Sequence, residues 1–194
     1  MQGMIISNPK LEFLRPVLER WFDCIDRYNA VRGDNESPYW FDERANLSLL
    51  SAAAWMAEMV TLEQAPTKKQ IEEGERNGRA DLLIANQEQR AYLQATQRWP
   101  RVNQLNLTQA LLDIASDAKT IAYASELKIG CLFVAPQKLQ HSATPEELQD
   151  MVDDLQKEHC CAVAWYFPYA YRKLRNEAGY YHPGIAVLLK EARS

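Results

Sequence analysis

The sequence predicts an α/β fold: a single domain in which helices flank a mixed central sheet. Three observations carry this. Residues 128–135 (KIGCLFVA) and 160–167 (CCAVAWYF) are continuous apolar runs of the kind found in strands buried on both faces. Stretches with apolar residues at helical spacing alternate with the strand-like runs. The composition, 47% hydrophobic and 25% charged with seven Gly in 194 residues, is that of a globular chain long enough to bury a sizeable core.

In chain order, residues 9–28 read as a helix, with Asn8 as cap and Pro9 at its first position. Leu11, Leu14, Leu18, Trp21, Phe22 and Ile25 form its apolar stripe, and Pro16 marks a kink or a later start. Residues 30–39 carry Gly33, Asp34, Asn35 and Pro38 and read as an exposed loop. A second helix follows, capped by Asp42 and running to residue 59, with Leu47, Leu50, Ala54 and Ala57 as its buried side. Residues 60–65 read as the first core strand. Residues 66–77 are polar and read as a loop or a short solvated helix, from which Lys68 or Lys69 can reach a neighbouring site.

Residues 79–85 and 91–97 then form a hairpin around a polar turn at 86–90, with the dense apolar runs Leu82-Leu83-Ile84 and Tyr92-Leu93. Residues 108–126 repeat Leu111, Ile114, Ala115, Ala118 and Ala122 at helical spacing. Thr144-Pro145-Glu146-Glu147 is a capping box with Pro at the first helical position, opening a helix with Leu148, Met151, Val152 and Leu155. A right-handed crossover is expected in this half, and residues 185–189 supply a last short strand. Residues 168–184 mix Tyr169, Tyr171, Tyr180, Tyr181 and His182 with bases. They read as an amphipathic helix followed by a Tyr-rich turn, or as a recognition surface.

Asp81 is the residue that asks for an explanation. Asp is depleted in strands and costly to bury unpaired, so it needs a partner, a solvent-facing pleat or a metal. Its plainest reading is a satisfied polar residue near a strand start. Gly78-Arg79-Ala80-Asp81-Leu82-Leu83-Ile84, set in the order helix, strand, Asp-bearing strand, hairpin, strand, helix, strand, resembles the restriction-endonuclease-like PD-(D/E)XK superfamily over residues 40–135. The resemblance implies an αβββαβ core with residues 1–39 before it and 136–194 as an extension. It also implies Mg²⁺ held by Asp81 and by a second acidic residue on the following strand, with a Lys two positions further on. Here those positions are Gln94 and Thr96. Gln offers Mg²⁺ no anionic oxygen and Thr no positive charge. The resemblance therefore implies a catalytically degenerate member that holds no cofactor tightly and acts in binding. Mg²⁺ enters only in the alternative, an atypical nuclease built on Asp81 and Gln94 with a relocated lysine.

Family members often carry another acidic residue on the core helix; Glu43 is the candidate, and a first-turn Glu complementing the helix dipole accounts for it equally well. Trp99 between Arg98 and Arg101 is the candidate binding group, a base-stacking ring beside two cations, or simply a cover for the core edge. Lys119 is a further candidate binding residue and migrated lysine, or an exposed helix lysine. The net charge of −4 weighs against nucleic acid as a partner, which leaves a protein partner, a homo-oligomer or an unrelated interaction module as the other readings. The four cysteines show no metal-ligand spacing. No apolar run of membrane-spanning length and no secretory leader is visible, so a cytoplasmic protein without a membrane partner is expected.

Overall fold

The structure, a computed structural model, describes residues 1–32, 36–123 and 126–192. It is an α/β arrangement of one seven-stranded mixed sheet with helices on both faces. The strands are β1 (Gln2–Ile6), β2 (Val60–Ile71), β3 (Gly74–Ala85), β4 (Arg90–Arg98), β5 (Leu127–Val134), β6 (Ala162–Tyr166) and β7 (Ile185–Glu191). Their spatial order is β1-β6-β7-β5-β4-β3-β2, and β4 with β5 is the parallel pair among otherwise antiparallel neighbours. The helices are α1 (Arg15–Arg32), α2 (Glu43–Met56), α3 (Thr108–Lys119) and α4 (Pro145–Lys157).

Alternation along the strands divides the core. Ile129, Cys131 and Phe133 of β5 turn to α1 and α2 with Leu18, Trp21, Ile25 and Leu50. Leu132 and Val134 turn the other way, to Leu111 and Ile114 of α3 and Met151 and Leu155 of α4. Each fully buried Leu or Ile contributes about 1.5–3 kcal/mol, which makes these two layers the main source of stability. Gly130 permits the close approach of α3, because a Cβ there would lie 2.5 Å from the Ala115 backbone nitrogen.

Local signals act as read at several points. Asp42 caps α2 by accepting from the Arg44 and Ala45 amides at 3.1 and 3.3 Å. The Thr144 and Glu147 capping box is complete, and Glu147 also pairs with Lys138. No helix among the described residues is long and apolar enough to cross a membrane.

Several expectations are corrected. The first helix divides: Pro9–Leu14 is a 3-10 turn capped by Asn8, and the α-helix starts at Arg15, because Pro16 is tolerated only in the first turn. Residues 2–6, to which no strand was assigned, form β1 on β6. Residues 66–77 are neither loop nor helix but the outer half of the β2/β3 hairpin, whose register runs to Ile71↔Gly74. The third helix stops at Lys119; residues 124–125 of the expected span, like 33–35 of the expected loop, lie outside the described residues. The segment after Tyr169 is a series of turns rather than a helix.

Candidate functional site at a forked strand pair

Strand β3 stays paired with β2 along its whole length, and β4 with β5 along nearly all of its own. Between themselves, β3 and β4 pair only from Ala85↔Arg90 to Leu82↔Leu93. Beyond that point they part, and Asp81 and Gln94 stand where the fork opens. A split ladder leaves backbone groups without partners, and these two side chains supply them. The Asp81 carboxylate accepts from the Ala95 amide at 2.8 Å. The Gln94 amide donates across the fork to the Arg79 carbonyl at 3.1 Å.

A second irregularity sits at the same level. Gln64 of β2 has a left-handed φ of 52°, and the β2/β3 register steps from Glu63↔Leu82 to Ala65↔Ala80. Its side chain donates to Asp81 at 3.3 Å. On one side of this point Leu82 and Ile84 belong to the α1/α2 core. On the other, Ala65 and Ala80 pack with Tyr92 and Ile121. The outer hairpin thus becomes an arm laid along the segment that follows α3, to which it is stitched by Gln70 N to Thr120 O at 2.6 Å and Ala122 N to Lys68 O at 2.8 Å.

The arm delivers Lys69. Its ammonium, largely covered, donates to the Gln94 side-chain oxygen at 3.4 Å and pairs with Asp117 of α3 at 3.2 Å. Residues 66–77 thus bring Lys69 there on a strand rather than on a loop. Gln64 and Asp117 carried no sequence signal, since their contribution depends on the kink in β2 and on the placement of α3.

The candidate residues do not converge. Gln94 turns toward α3. Three residues on, buried Gln97 turns toward α2, where it accepts from Asn46 at 2.7 Å and donates to the Tyr39 and Phe41 carbonyls at 3.2 and 2.8 Å. Glu43, half-buried in the first turn of α2, is therefore on the opposite side of the sheet from Gln94. Among the described residues no hydrogen bond or ion pair joins it to Asp81. Thr96 accepts from Arg98 at 3.1 Å. Asp81 makes itself felt on the α1/α2 side: burial first, and then the Asp81 charge, push the Cys131 thiol well above its ordinary value. All four cysteines are free thiols.

The donor set does not fit a tightly held Mg²⁺. Asp81 already accepts from Ala95 and Gln64, and the single side-chain oxygen of Gln94 is neutral and accepts from Lys69. Among the described residues no three His, Cys, Asp or Glu side chains are grouped to hold a metal.

The candidate binding residues fall at two ends of β4. Arg98 ends β4, and Trp99 and Arg101 lie just beyond it. Lys119 lies by its start, exposed, lining a cavity of about 850 Å³ with Arg90 and Lys128. What the fork can do chemically is bridge: side-chain amides and a carboxylate span the parted strands, and the Lys69 ammonium joins Gln94 to Asp117. Compared with protein-family models, curated proteins and solved structures, the chain matches none.

Proposed function

We propose that the chain is a catalytically degenerate PD-(D/E)XK-like protein that works by binding rather than by cleavage. The order α2, β2, β3, β4, α3, β5, with β4 parallel to β5, supports the αβββαβ resemblance. The observation that carries the reading is at the fork. Asp81 stands where the resemblance wants its first carboxylate, but its oxygens accept from Ala95 and Gln64, and β4 offers only Gln94, Ala95, Thr96 and Gln97 beside it. A phosphoryl-transfer site needs preorganised charge at the reacting group, and loss of single such groups costs about 3 kcal/mol of barrier. Here the second carboxylate and the strand-borne lysine are both replaced.

One observation favours the second reading, an atypical metal-dependent nuclease: Lys69 places an ammonium beside Gln94. A nuclease assay with Mg²⁺ or Mn²⁺ on single- and double-stranded DNA and RNA separates the two. The degenerate reading expects no cleavage by the wild type. Cleavage abolished by both Asp81→Ala and Lys69→Ala overturns it in favour of the nuclease.

A further inference from the structure

Two segments that the sequence keeps far apart meet beyond the C-terminal end of β4. The backbone of residues 98–102 is bonded to that of residues 135–137: Ala135 N to Arg98 O at 2.9 Å, Gln137 N to Pro100 O at 2.8 Å and Val102 N to Gln137 O at 3.3 Å. The Gln137 side chain adds a bond to the Trp99 carbonyl at 2.9 Å. Next along the chain, Lys138 exchanges both backbone bonds with Tyr181, at 2.9 and 2.8 Å. The loop leading to Tyr181 is tied to itself by Asn176 N to Tyr180 O at 3.0 Å and Arg175 Nε to Gly179 O at 3.2 Å. The backbone carrying Trp99 and the end of the Tyr169 to His182 loop are thereby joined through residues 135–138.

The chemistry of these segments differs from the rest of the molecule. Residues 98–101 and 169–182 carry five cations, Arg98, Arg101, Arg172, Lys173 and Arg175, and one anion, Glu177, in a chain whose net charge is −4. None of the five forms an ion pair among the described residues. The Arg172 guanidinium lies over the Tyr169 ring at 3.9 Å, and that of Arg175 over Tyr181 at 5.1 Å. Exposed aromatic area accompanies them: Tyr169 is 71% accessible and Trp99 38%. The acidic outer face of α4, with Asp150, Asp153 and Asp154 beside Val102 and Asn103, bounds the patch on one side.

We infer that this surface binds single-stranded nucleic acid, with Trp99 and Tyr169 stacking on bases and Arg98, Arg101 and Arg172 meeting the phosphates. Stacking accepts any base and the cations track the backbone, which is how single strands are held without sequence readout. Bases paired in a duplex have no free face to offer these rings. The patch overcomes the unfavourable net charge locally, since charges beyond about 8–10 Å are screened at physiological salt. Carboxylates of an acidic protein would satisfy the guanidiniums but leave the two exposed rings without a reason. The acidic border formed by α4 directs a polyanion across the patch instead of over the whole end of the molecule.

The inference goes beyond the degenerate-nuclease reading and does not depend on Asp81. Its test is fluorescence anisotropy of the full chain with labelled homopyrimidine DNA and RNA strands and a matching duplex, at two salt concentrations. The expected result is binding to the strands that exceeds binding to the duplex and weakens with salt. Tyr169→Ala should lose about 5- to 150-fold in affinity, the range of one lost stack. Arg101→Gln should weaken binding and flatten the salt dependence by about one phosphate contact. Tyr169 and Arg101 are exposed, so both variants should fold, as circular dichroism would verify. Arg20→Gln, at an exposed cation of α1 outside the patch, should bind as the wild type does. No strand binding, equal binding to the duplex, or affinity untouched by Tyr169→Ala would each overturn the assignment.

Discussion

Strands β5 and β3 lie two places apart in one sheet and are held by opposite means. β5 is buried on both faces, with Ile129, Cys131 and Phe133 in one core layer and Leu132 and Val134 in the other. β3 is buried only near its C-terminal end. Its other half is the arm, held by the β2 ladder, by the bonds from residues 68–70 to residues 120–122 and by side chains that cross the fork. The difference teaches that packing defines the sheet at β5 and hydrogen bonding defines it at β3. Substitutions should therefore be costly in volume at the first and costly in polarity at the second.

The largest expected effect breaks the packed side. Gly130→Ala sets a methyl group against the α3 backbone, which cannot give way as a side chain would, and should destabilise by about 3 kcal/mol in urea unfolding. A result below about 1 kcal/mol would mean that α3 is free to shift. Almost as large is the cost of acid at His182, beside Ala135 and Pro136 just past the end of β5. His182 is buried, and burial holds its pKa down to about 4 from the ordinary 6.5. The unfolded chain then binds the extra proton first. Stability present in full above pH 6.5 is lost as the pH falls toward 4, by an amount on the order of 3 kcal/mol. Unfolding free energies of wild type and His182→Leu across that range should differ in slope; parallel curves would refute the assignment.

Next comes the polar junction of β4 with α2. Gln97→Leu keeps the volume but leaves the Tyr39 and Phe41 carbonyls without this donor and the Asn46 amide with only the Asp42 carbonyl, for an expected loss of about 2 kcal/mol. The smallest effect belongs to the arm. A methyl at Gly78 would lie 2.7 Å from the Lys69 Cγ, an atom of a flexible side chain. Gly78→Ala should change stability by less than about 1 kcal/mol while displacing the Lys69 ammonium from Gln94, visible as a shift of the Gln94 side-chain amide in NMR. An effect as large as that of Gly130→Ala would erase the distinction between the two strands.

The same contrast explains what the sequence made legible. KIGCLFVA and CCAVAWYF announce two-sided burial, and Thr144 with Glu147 announces a helix start, because each signal is local and each is satisfied locally. The arm was missed because Lys68, Lys69, Gln70, Glu75 and Arg76 form no apolar pattern; their strand character comes from a register set elsewhere. Strand β1 was missed for a related reason. Met4 and Ile6 are only partly buried, at an edge that β6 supplies from far along the chain. At the candidate site, Asp81 was conspicuous because a carboxylate inside a strand demands a partner. The partners themselves, Ala95 N and the Gln64 amide, were beyond any sequence pattern because a split ladder and a left-handed Gln64 decide them.

The stitch between residues 68–70 and residues 120–122 also sets an order of assembly. It closes a long loop of chain, and loop-closure entropy opposes such a contact until the intervening strands and α3 are in place. The arm should therefore fasten late in folding and open early in native-state fluctuations, so that the amides of Gln70 and Ala122 exchange with solvent sooner than those of β5. The contact between Lys69 and Gln94 lasts only while the arm is fastened, which makes the chemistry of the fork a property of a latch rather than of the rigid core.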